Sequence, residues 1–341
     1  MKTYAAVDAA RLFFCVCIVF LHSGAYHLVP GEWYVLHCLL RLAVPFFFVV
    51  TGYFWGAGIY EKKRDMKEAL IKFEKRMLYP YIVFSVPNII VAAIELHMQG
   101  ETPVWIFLKI CRAIIFYPYG ALWYIWACII AVLLLFLFLK KNRLGIALIL
   151  GFLSYIIALL MNSYYFVIEG TVLQGIADLI LKVATSARNG FTVGFFFVGI
   201  GVWLAQNHEM IYSKEWIRGA WIAAVLGYAG LVLETFLIKN RTTADDHSLF
   251  LSFILLIPAL VVLLLNLRLP IRKEQSELIR HISTGTYFLH RFLLSVLTLS
   301  CAVAGLEPNR MLNFLLVLCL CFAICLWVNK SRKEPFYSLL K

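Results

Sequence analysis

The sequence predicts an all-α membrane protein, a bundle of about ten transmembrane helices in one domain that covers residues 1–341. Low charge, high hydropathy and a series of long apolar segments predict this fold class. Hydrophobic residues make up 62% of the chain and charged residues only 15%, whereas soluble domains contain about 25% charged residues. The mean hydropathy is +0.85. A soluble domain of this size could not bury so much apolar surface, so lipid must form part of its surroundings.

Ten apolar segments are long enough to cross a bilayer, which requires about 20 mostly apolar residues in a helix. They lie near residues 6–25, 35–56, 76–96, 120–139, 144–162, 189–206, 217–238, 248–267, 282–304 and 309–328. The stretch 103–117 is apolar but short and contains Lys109 and Arg112, so we expect an interfacial or re-entrant segment there. These segments and their loops nearly use up the chain, and we expect no separate soluble domain.

The basic residues predict the orientation, because Lys and Arg concentrate in the cytoplasmic loops of membrane proteins. With the N-terminus inside, 21 of the 31 basic residues lie in cytoplasmic loops and seven in the opposite loops. The other three, Arg11, Arg41 and Arg291, lie within predicted spans. The same rule explains the net charge of +12 without a nucleic-acid partner. We therefore expect a multi-pass protein of the plasma or inner membrane, with both termini in the cytoplasm.

The first predicted helix contains the most informative polar residues, because ionisable groups inside a bilayer are costly and are candidates for function. Arg11 and His22 are 11 residues apart, which is almost three helical turns, so they share one face about 16 Å apart along the axis. Asp8 can pair with Arg11 from three residues away. Alone, Arg11 could extend to the lipid headgroups and His22 could bond to a neighbouring backbone. Their shared face favours a function.

A second group of basic residues lies at the start of the third predicted span, in KFEKRMLYPY. Lys72 and Arg76 are spaced i, i+4, and Lys75 lies beside them. Together these cations could hold phosphates at the cytoplasmic face. Taken alone, the group is better explained by topology and by attraction to anionic lipids.

The segments VDAAR and FLH, which contain Arg11 and His22, are similar to the first-helix pattern of the acyltransferase 3 family, the integral membrane O-acyltransferases. That pattern is Arg or Lys, ten residues and then His. In its third helix the family often has Arg-x-x-Arg, where this chain has Lys72-x-x-Lys75 followed by Arg76. The charge is kept, but the bidentate geometry of arginine is lost. Other segments that look like the family's occur in order: RLAVPFFFVVTGYF, ALWYIWA, ARNGFTVGFFFVGIG and STGTYFLH.

The middle and late segments, together with DDHSLFL (Asp245 to Leu251), resemble a subset of this family. That subset includes the membrane domain of vancomycin-type serine racemases. In those proteins the domain is normally fused to a soluble racemase and is associated with serine uptake. We expect no racemase domain in this chain.

The resemblance implies an activity. Members take an acyl group, usually acetyl, from cytoplasmic acyl-CoA and deliver it to a hydroxyl of a glycan, a lipid-linked sugar or a related envelope acceptor outside. It implies that Lys72, Lys75, Arg76 and Arg11 hold the phosphates of acetyl-CoA, the acyl donor, and that no metal takes part. His22 would be the general base that removes the acceptor's hydroxyl proton. A covalent acyl-histidine intermediate is the alternative.

Four residues of the predicted outer half are weaker candidates for an acceptor pocket: Arg188, Glu234, His247 and His290. Each has a structural alternative. Arg188 could simply start a helix, Glu234 and His247 could form a solvated rim, and His290 could be a packed core histidine.

Two other functional classes stay open. A membrane transporter or uptake module for a small polar solute such as serine is favoured by the similarity to the racemase-linked subset. A non-catalytic membrane scaffold is the third possibility. The pairing of Arg11 with His22 favours the acyltransferase, because a transporter has no evident need for a phosphate site beside a deep imidazole.

Overall fold

The computed structural model of the chain describes residues 4–29, 31 and 36–340, and these contain helices and no strands. The helices are α1 (Ala5–His22), α2 (Cys38–Arg41), α3 (Ala43–Tyr60), α4 (Met66–Met98), α5 (Pro103–Phe116), α6 (Trp123–Leu139), α7 (Leu144–Leu160), α8 (Val172–Ala184), α9 (Phe195–Gln206), α10 (His208–Ile211), α11 (Lys214–Ile238), α12 (Phe253–Asn266), α13 (Lys273–Val303), α14 (Arg310–Ser331) and α15 (Phe336–Leu340).

Six helical segments are long and apolar enough to cross a membrane: α1, α2 with α3, α4, α11, α13 and α14. Four shorter apolar helices accompany them, namely α6, α7, α12 and α9 with the π-helical turn Gly190–Gly194 that precedes it. The positions of these helices match the predicted spans in order. The predicted fold class, an all-α polytopic membrane bundle, is therefore confirmed.

Two further helices, α5 and α8, are too short to span a bilayer. Helix α5 occupies the stretch expected to be interfacial or re-entrant, and its position in the interface stays a prediction. Helix α8 occurs where the sequence predicts only a loop, although apolar side chains recur there at helical spacing: Val172, Leu173, Ile176, Leu179, Ile180 and Val183. The two helices are joined where Nη1 of Arg112 donates to the carbonyl of Lys182 at 3.3 Å.

Helices α3 and α9 pack backbone against backbone in the core of the bundle. A Cβ atom added at Gly52 would collide with the carbonyl oxygen of Val198, and one at Gly201 would collide with the carbonyl oxygen of Val49. Small residues allow such close approach between membrane helices, where dispersion and weak polar contacts replace the hydrophobic effect. This tight contact fixes the position of α3, on which the neighbouring cavities depend.

Helix α1 places Arg11 and His22 at opposite sides of the bundle. Ser338 and Leu339 of α15 line the same cavity as Arg11, so both ends of the described chain lie on one side. We call this the N-terminal side and the opposite one the His22 side. A chain that crosses the membrane an even number of times has both ends on one side. The assignment of the N-terminal side to the cytoplasm rests on the distribution of basic residues.

Candidate active site

The first helix supplies the two residues that the sequence singled out. Arg11 donates from Nη1 to Oδ1 of Asp8 at 3.1 Å, which confirms the expected i, i+3 pair. His22 is the last residue of α1, and Gly24 turns the chain away from the helix with a φ of 70°. Glycine adopts this left-handed conformation without steric cost. The imidazole therefore lies at a helix end, beside the cavity that the neighbouring elements form.

A cavity of about 340 Å³ lies on the His22 side, and we call it the His22 cavity. Helix α1 supplies His22, α2 supplies Arg41, and the segment between α11 and α12 supplies Asp246. Other polar residues of its wall are Tyr26, Tyr117, Tyr124, Arg188, Ser248 and Tyr287. Elements from distant parts of the chain thus converge on His22.

The carboxylate of Asp246 bridges two arginines in the wall of the His22 cavity. Its Oδ2 lies 2.9 Å from Nη1 of Arg41 and 3.4 Å from Nη1 of Arg188. Arg188 also donates from Nη2 to Oδ2 of Asp245 at 3.1 Å. Burial raises the pKa of Asp246, but attraction to Arg188 and Arg41 outweighs burial and lowers this pKa below its usual range. The cluster is therefore charged at neutral pH and ties α2 to two loops.

His290 lies directly against His22. The two rings stack with centroids 5.4 Å apart and planes inclined by 30°. His290 is fully buried, and its Nδ1 lies 3.1 Å from the carbonyl of Thr286 and 2.7 Å from that of Tyr287. A carbonyl only accepts, so this contact assigns the proton to Nδ1. Nε2 of His290 has no hydrogen-bond partner within the described ranges of the chain.

The N-terminal side contains two further cavities, of about 230 and 190 Å³, which we call the basic cavities. Arg11 and Arg76 line both of them. Lys75 lines the larger and Lys72 the smaller. The structure therefore brings together all four cations that the family resemblance assigns to the donor phosphates.

Two cations of the basic cavities escaped the sequence analysis. Arg280 of α13 lines the larger cavity, and its Nη1 lies 3.6 Å from Oδ2 of Asp8. Arg64, from the turn before α4, lines the smaller cavity. Both lie in predicted cytoplasmic loops, where the positive-inside rule already accounts for basic residues. The sequence therefore contains no local signal that separates them from the other loop cations.

Three aromatic side chains belong to the walls of cavities on both sides of the bundle. Phe47, Tyr124 and Tyr287 line both the His22 cavity and the larger basic cavity. The hydroxyls of Tyr124 and Thr51 share a hydrogen bond of 2.8 Å, and the hydroxyl of Tyr287 donates to the carbonyl of Ala121 at 2.6 Å. These bonds hold two of the rings in place. The His22 cavity and the larger basic cavity therefore meet at the same three aromatic side chains.

Of the four weaker candidates, Arg188 lines the His22 cavity and His290 contacts His22. Glu234 is placed elsewhere, and its carboxylate accepts hydrogen bonds from the hydroxyl of Tyr164, the backbone of Leu251, and both the backbone and hydroxyl of Ser252. This geometry gives Glu234 a structural role at the start of α12.

His247 lies between two residues of the cavity wall, Asp246 and Ser248, but is not itself part of that wall. Its carbonyl accepts a hydrogen bond from Nε2 of His37. Arg41 is a wall residue that sequence reasoning passed over as a site residue. An arginine inside a predicted span was a usable signal for Arg41, because intramembrane charges are functional candidates by default.

Comparison with known proteins adds four findings. A family model described as an acyltransferase domain matches residues 4–330. An amino-acid racemase of Enterococcus faecalis is 23% identical over 337 residues, which cover 96% of this chain and 46% of that protein. A serine/alanine racemase of Enterococcus gallinarum is 22% identical over 335 residues, with the same coverage of 96% and 46%. The chain thus spans less than half the length of these relatives. No solved structure is significantly similar to it.

Proposed function

The chain belongs to the acyltransferase 3 family, and on that premise we propose that it transfers an acetyl group from cytoplasmic acetyl-CoA to a hydroxyl of an extracytoplasmic glycan or lipid-linked sugar. The observation that carries this proposal is the arrangement of two cavities about the same aromatic side chains. The larger basic cavity contains Arg11 and Arg76, the His22 cavity contains His22, and Tyr124 and Tyr287 line both. This arrangement suits a donor with a phosphate-bearing end and a reactive end.

The basic cavities would hold the donor's phosphates. Guanidinium and ammonium groups form strong charge-assisted hydrogen bonds with phosphate oxygens. Arg280 adds to the four cations expected from the sequence. The thioester would extend past Tyr124 and Tyr287 toward His22.

His22 would act as the general base. Its imidazole takes the proton of the acceptor hydroxyl while that oxygen attacks the thioester carbonyl carbon. The bond between carbon and sulfur breaks, and the leaving CoA thiolate receives the proton from the imidazolium. The products are an acetyl ester and CoA, and the enzyme is unchanged. A covalent acetyl-His22 is the alternative route, which rapid quenching followed by mass spectrometry of the protein would reveal.

Replacement of the proposed base tests this function. In proteoliposomes that contain an envelope extract and radiolabelled acetyl-CoA, His22→Ala should reduce transfer by at least about 100-fold. The binding of acetyl-CoA and the melting temperature should stay close to those of the wild type. His97→Ala is the matched control, because His97 is an exposed histidine at the end of α4. Transfer by His22→Ala at the wild-type rate would contradict the proposal.

A second candidate function is the uptake of a small polar solute such as serine. It is favoured by the relatives, which are named as racemases of amino acids. The opposite charges of Arg188 and Asp246 in the His22 cavity also suit a zwitterion. Uptake of labelled serine by proteoliposomes, undiminished in His22→Ala and without transfer from acetyl-CoA, would support this function over the first.

A further inference from the structure

A second cavity, of about 280 Å³, also reaches His22, and we call it the Arg291 cavity. The ends of α1, α4, α13 and α14 enclose it. Besides His22, its wall includes Glu95, Arg291, Arg310 and Asn313. His22 is the residue that this cavity shares with the His22 cavity. The imidazole therefore lies between two spaces that approach it from different helices.

The arginines of the Arg291 cavity differ from those of the His22 cavity in their partners. Arg41 and Arg188 are paired with Asp246. By contrast, neither Arg291 nor Arg310 forms a hydrogen bond or an ion pair with the parts of the chain that the structure describes. Arg291 is half-buried within the span formed by α13. Glu95 of the same wall attracts Arg291 but lies beyond ion-pair distance, so the guanidinium can still bind a ligand with negative charge.

Asn313 provides a further polar group in the same wall. It is only 7% exposed, and its amide forms no side-chain hydrogen bond with the described residues. Two cations, the carboxylate of Glu95 and the amide of Asn313 thus line a space that the proposed base also lines.

Direct transfer needs two routes to the base, one for the donor and one for the acceptor. The His22 cavity shares Tyr124 and Tyr287 with the larger basic cavity, so we assign it to the donor's route. We propose that the Arg291 cavity binds the acceptor and that this acceptor has a phosphate group beside its reactive hydroxyl. This inference rests on the proposed function and specifies the class of its acceptor.

The phosphate is a recognition group and takes no part in the bond changes. It would bind Arg291 and Arg310, since guanidinium groups suit the geometry and charge of a phosphate. The hydroxyl of the same molecule would give its proton to His22 and receive the acetyl group from the thioester, while CoA leaves as the thiol. The phosphate could belong to a lipid-linked sugar in the membrane or to a water-soluble sugar phosphate.

Glucose 1-phosphate and glucose are matched probes for this site. Glucose 1-phosphate should raise the melting temperature of the purified protein, and glucose at equal concentration should not. Arg291→Gln should abolish this shift, Arg291→Lys should restore part of it, and Arg310→Gln should reduce it. Arg112→Gln, on a helix outside the cavity, should leave it unchanged. A shift that is equal for both sugars, or equal in wild type and Arg291→Gln, would overturn the inference.

A transfer assay identifies the source of the phosphate and separates this inference from the proposed function. Membranes are incubated with radiolabelled acetyl-CoA, and the products are divided between organic and aqueous phases before anion exchange. Retained label that is resolved from acetyl-CoA and free acetate supports a phosphate-bearing acceptor, lipid-linked if it is in the organic phase and soluble if it is in the aqueous phase. Label only in uncharged products would overturn the inference and leave the transferase intact. No transfer at all would contradict the proposed function. The melting-temperature shift would then still test whether the Arg291 cavity binds a phosphate.

Discussion

The imidazole rings of His22 and His290 stack against each other, with centroids 5.4 Å apart. His290 is fully buried, and two backbone carbonyls hold its Nδ1 in place. It therefore forms a rigid surface against which the ring of His22 rests. A base must be oriented as well as basic, so we interpret His290 as a positioning residue for His22.

Removal of the His290 ring should impair the turnover of acetyl-CoA more than its binding. His290→Ala should lower kcat for acetyl transfer by about tenfold, because small displacements of a base are costly to the reaction. The KM for acetyl-CoA should not change. His290→Phe keeps an aromatic ring against His22 and should recover most of kcat. If His290→Phe is as slow as His290→Ala, the stacking is not what positions His22.

The position of Arg76 in both basic cavities predicts a role in donor binding. Arg76→Gln should raise the KM for acetyl-CoA by roughly 10- to 100-fold, which corresponds to about 1.5–3 kcal/mol for hydrogen bonds to a charged group. The kcat at saturating donor should stay close to that of the wild type.

Comparison of acetyl-CoA with its 3′-dephospho form sharpens the Arg76 test. If Arg76 contacts the 3′-phosphate, the wild type should bind the 3′-dephospho donor more weakly than acetyl-CoA. The Arg76→Gln variant should bind the two donors equally well. Lys67→Gln is the control, because Lys67 lies exposed on the same helix and lines neither basic cavity. An equal rise of KM in Lys67→Gln would indicate a general electrostatic effect in place of a binding site.

The bridge that Asp246 makes between Arg41 and Arg188 predicts a pH-dependent contribution to stability. The pKa of Asp246 is lowered in the folded protein, whereas an unfolded aspartate has a pKa of about 3.9. Its contribution is therefore complete above about pH 3.9 and is lost as the pH falls further, through the folded pKa. Asp246→Asn should lower the free energy of unfolding at neutral pH by roughly 2 kcal/mol, between the values of surface and buried pairs.

Melting curves in detergent between pH 8 and pH 3 measure this contribution. The difference in melting temperature between wild type and Asp246→Asn should stay constant from pH 8 to pH 5 and shrink below about pH 3.9. A difference that already disappears at pH 6 would mean that another group, and not this carboxylate, controls the bridge.

The contact between α3 and α9 predicts a strong effect of glycine replacement. Gly52→Val should prevent stable folding, because its side chain would collide with the backbone of Val198. Gly58→Val is the matched control on the same helix, since nothing lies within 4 Å of a Cβ atom at Gly58. The yield of monodisperse protein after detergent extraction measures the difference. Equal yields of both variants would show that α3 and α9 can separate without loss of the fold.

The sequence predicted those features that depend on neighbouring residues. Each span follows from local hydropathy, and the shared face of Arg11 and His22 follows from the helical repeat. Likewise, Lys72, Lys75 and Arg76 lie together because they are close in the chain. The helix α8 was missed because it is too short for a span, although its apolar side chains recur at helical spacing.

The sequence by itself determined the membrane class of this protein, the order of its spans and the first-helix pair of Arg11 and His22. Only the tertiary structure decided what surrounds that pair: Arg280 beside Asp8, His290 against His22, and Asp246 between two arginines. The physical reason is that hydropathy and helical periodicity are properties of adjacent residues. The walls of a cavity arise from the packing of helices that are distant in the chain, and close contacts such as that at Gly52 set this packing.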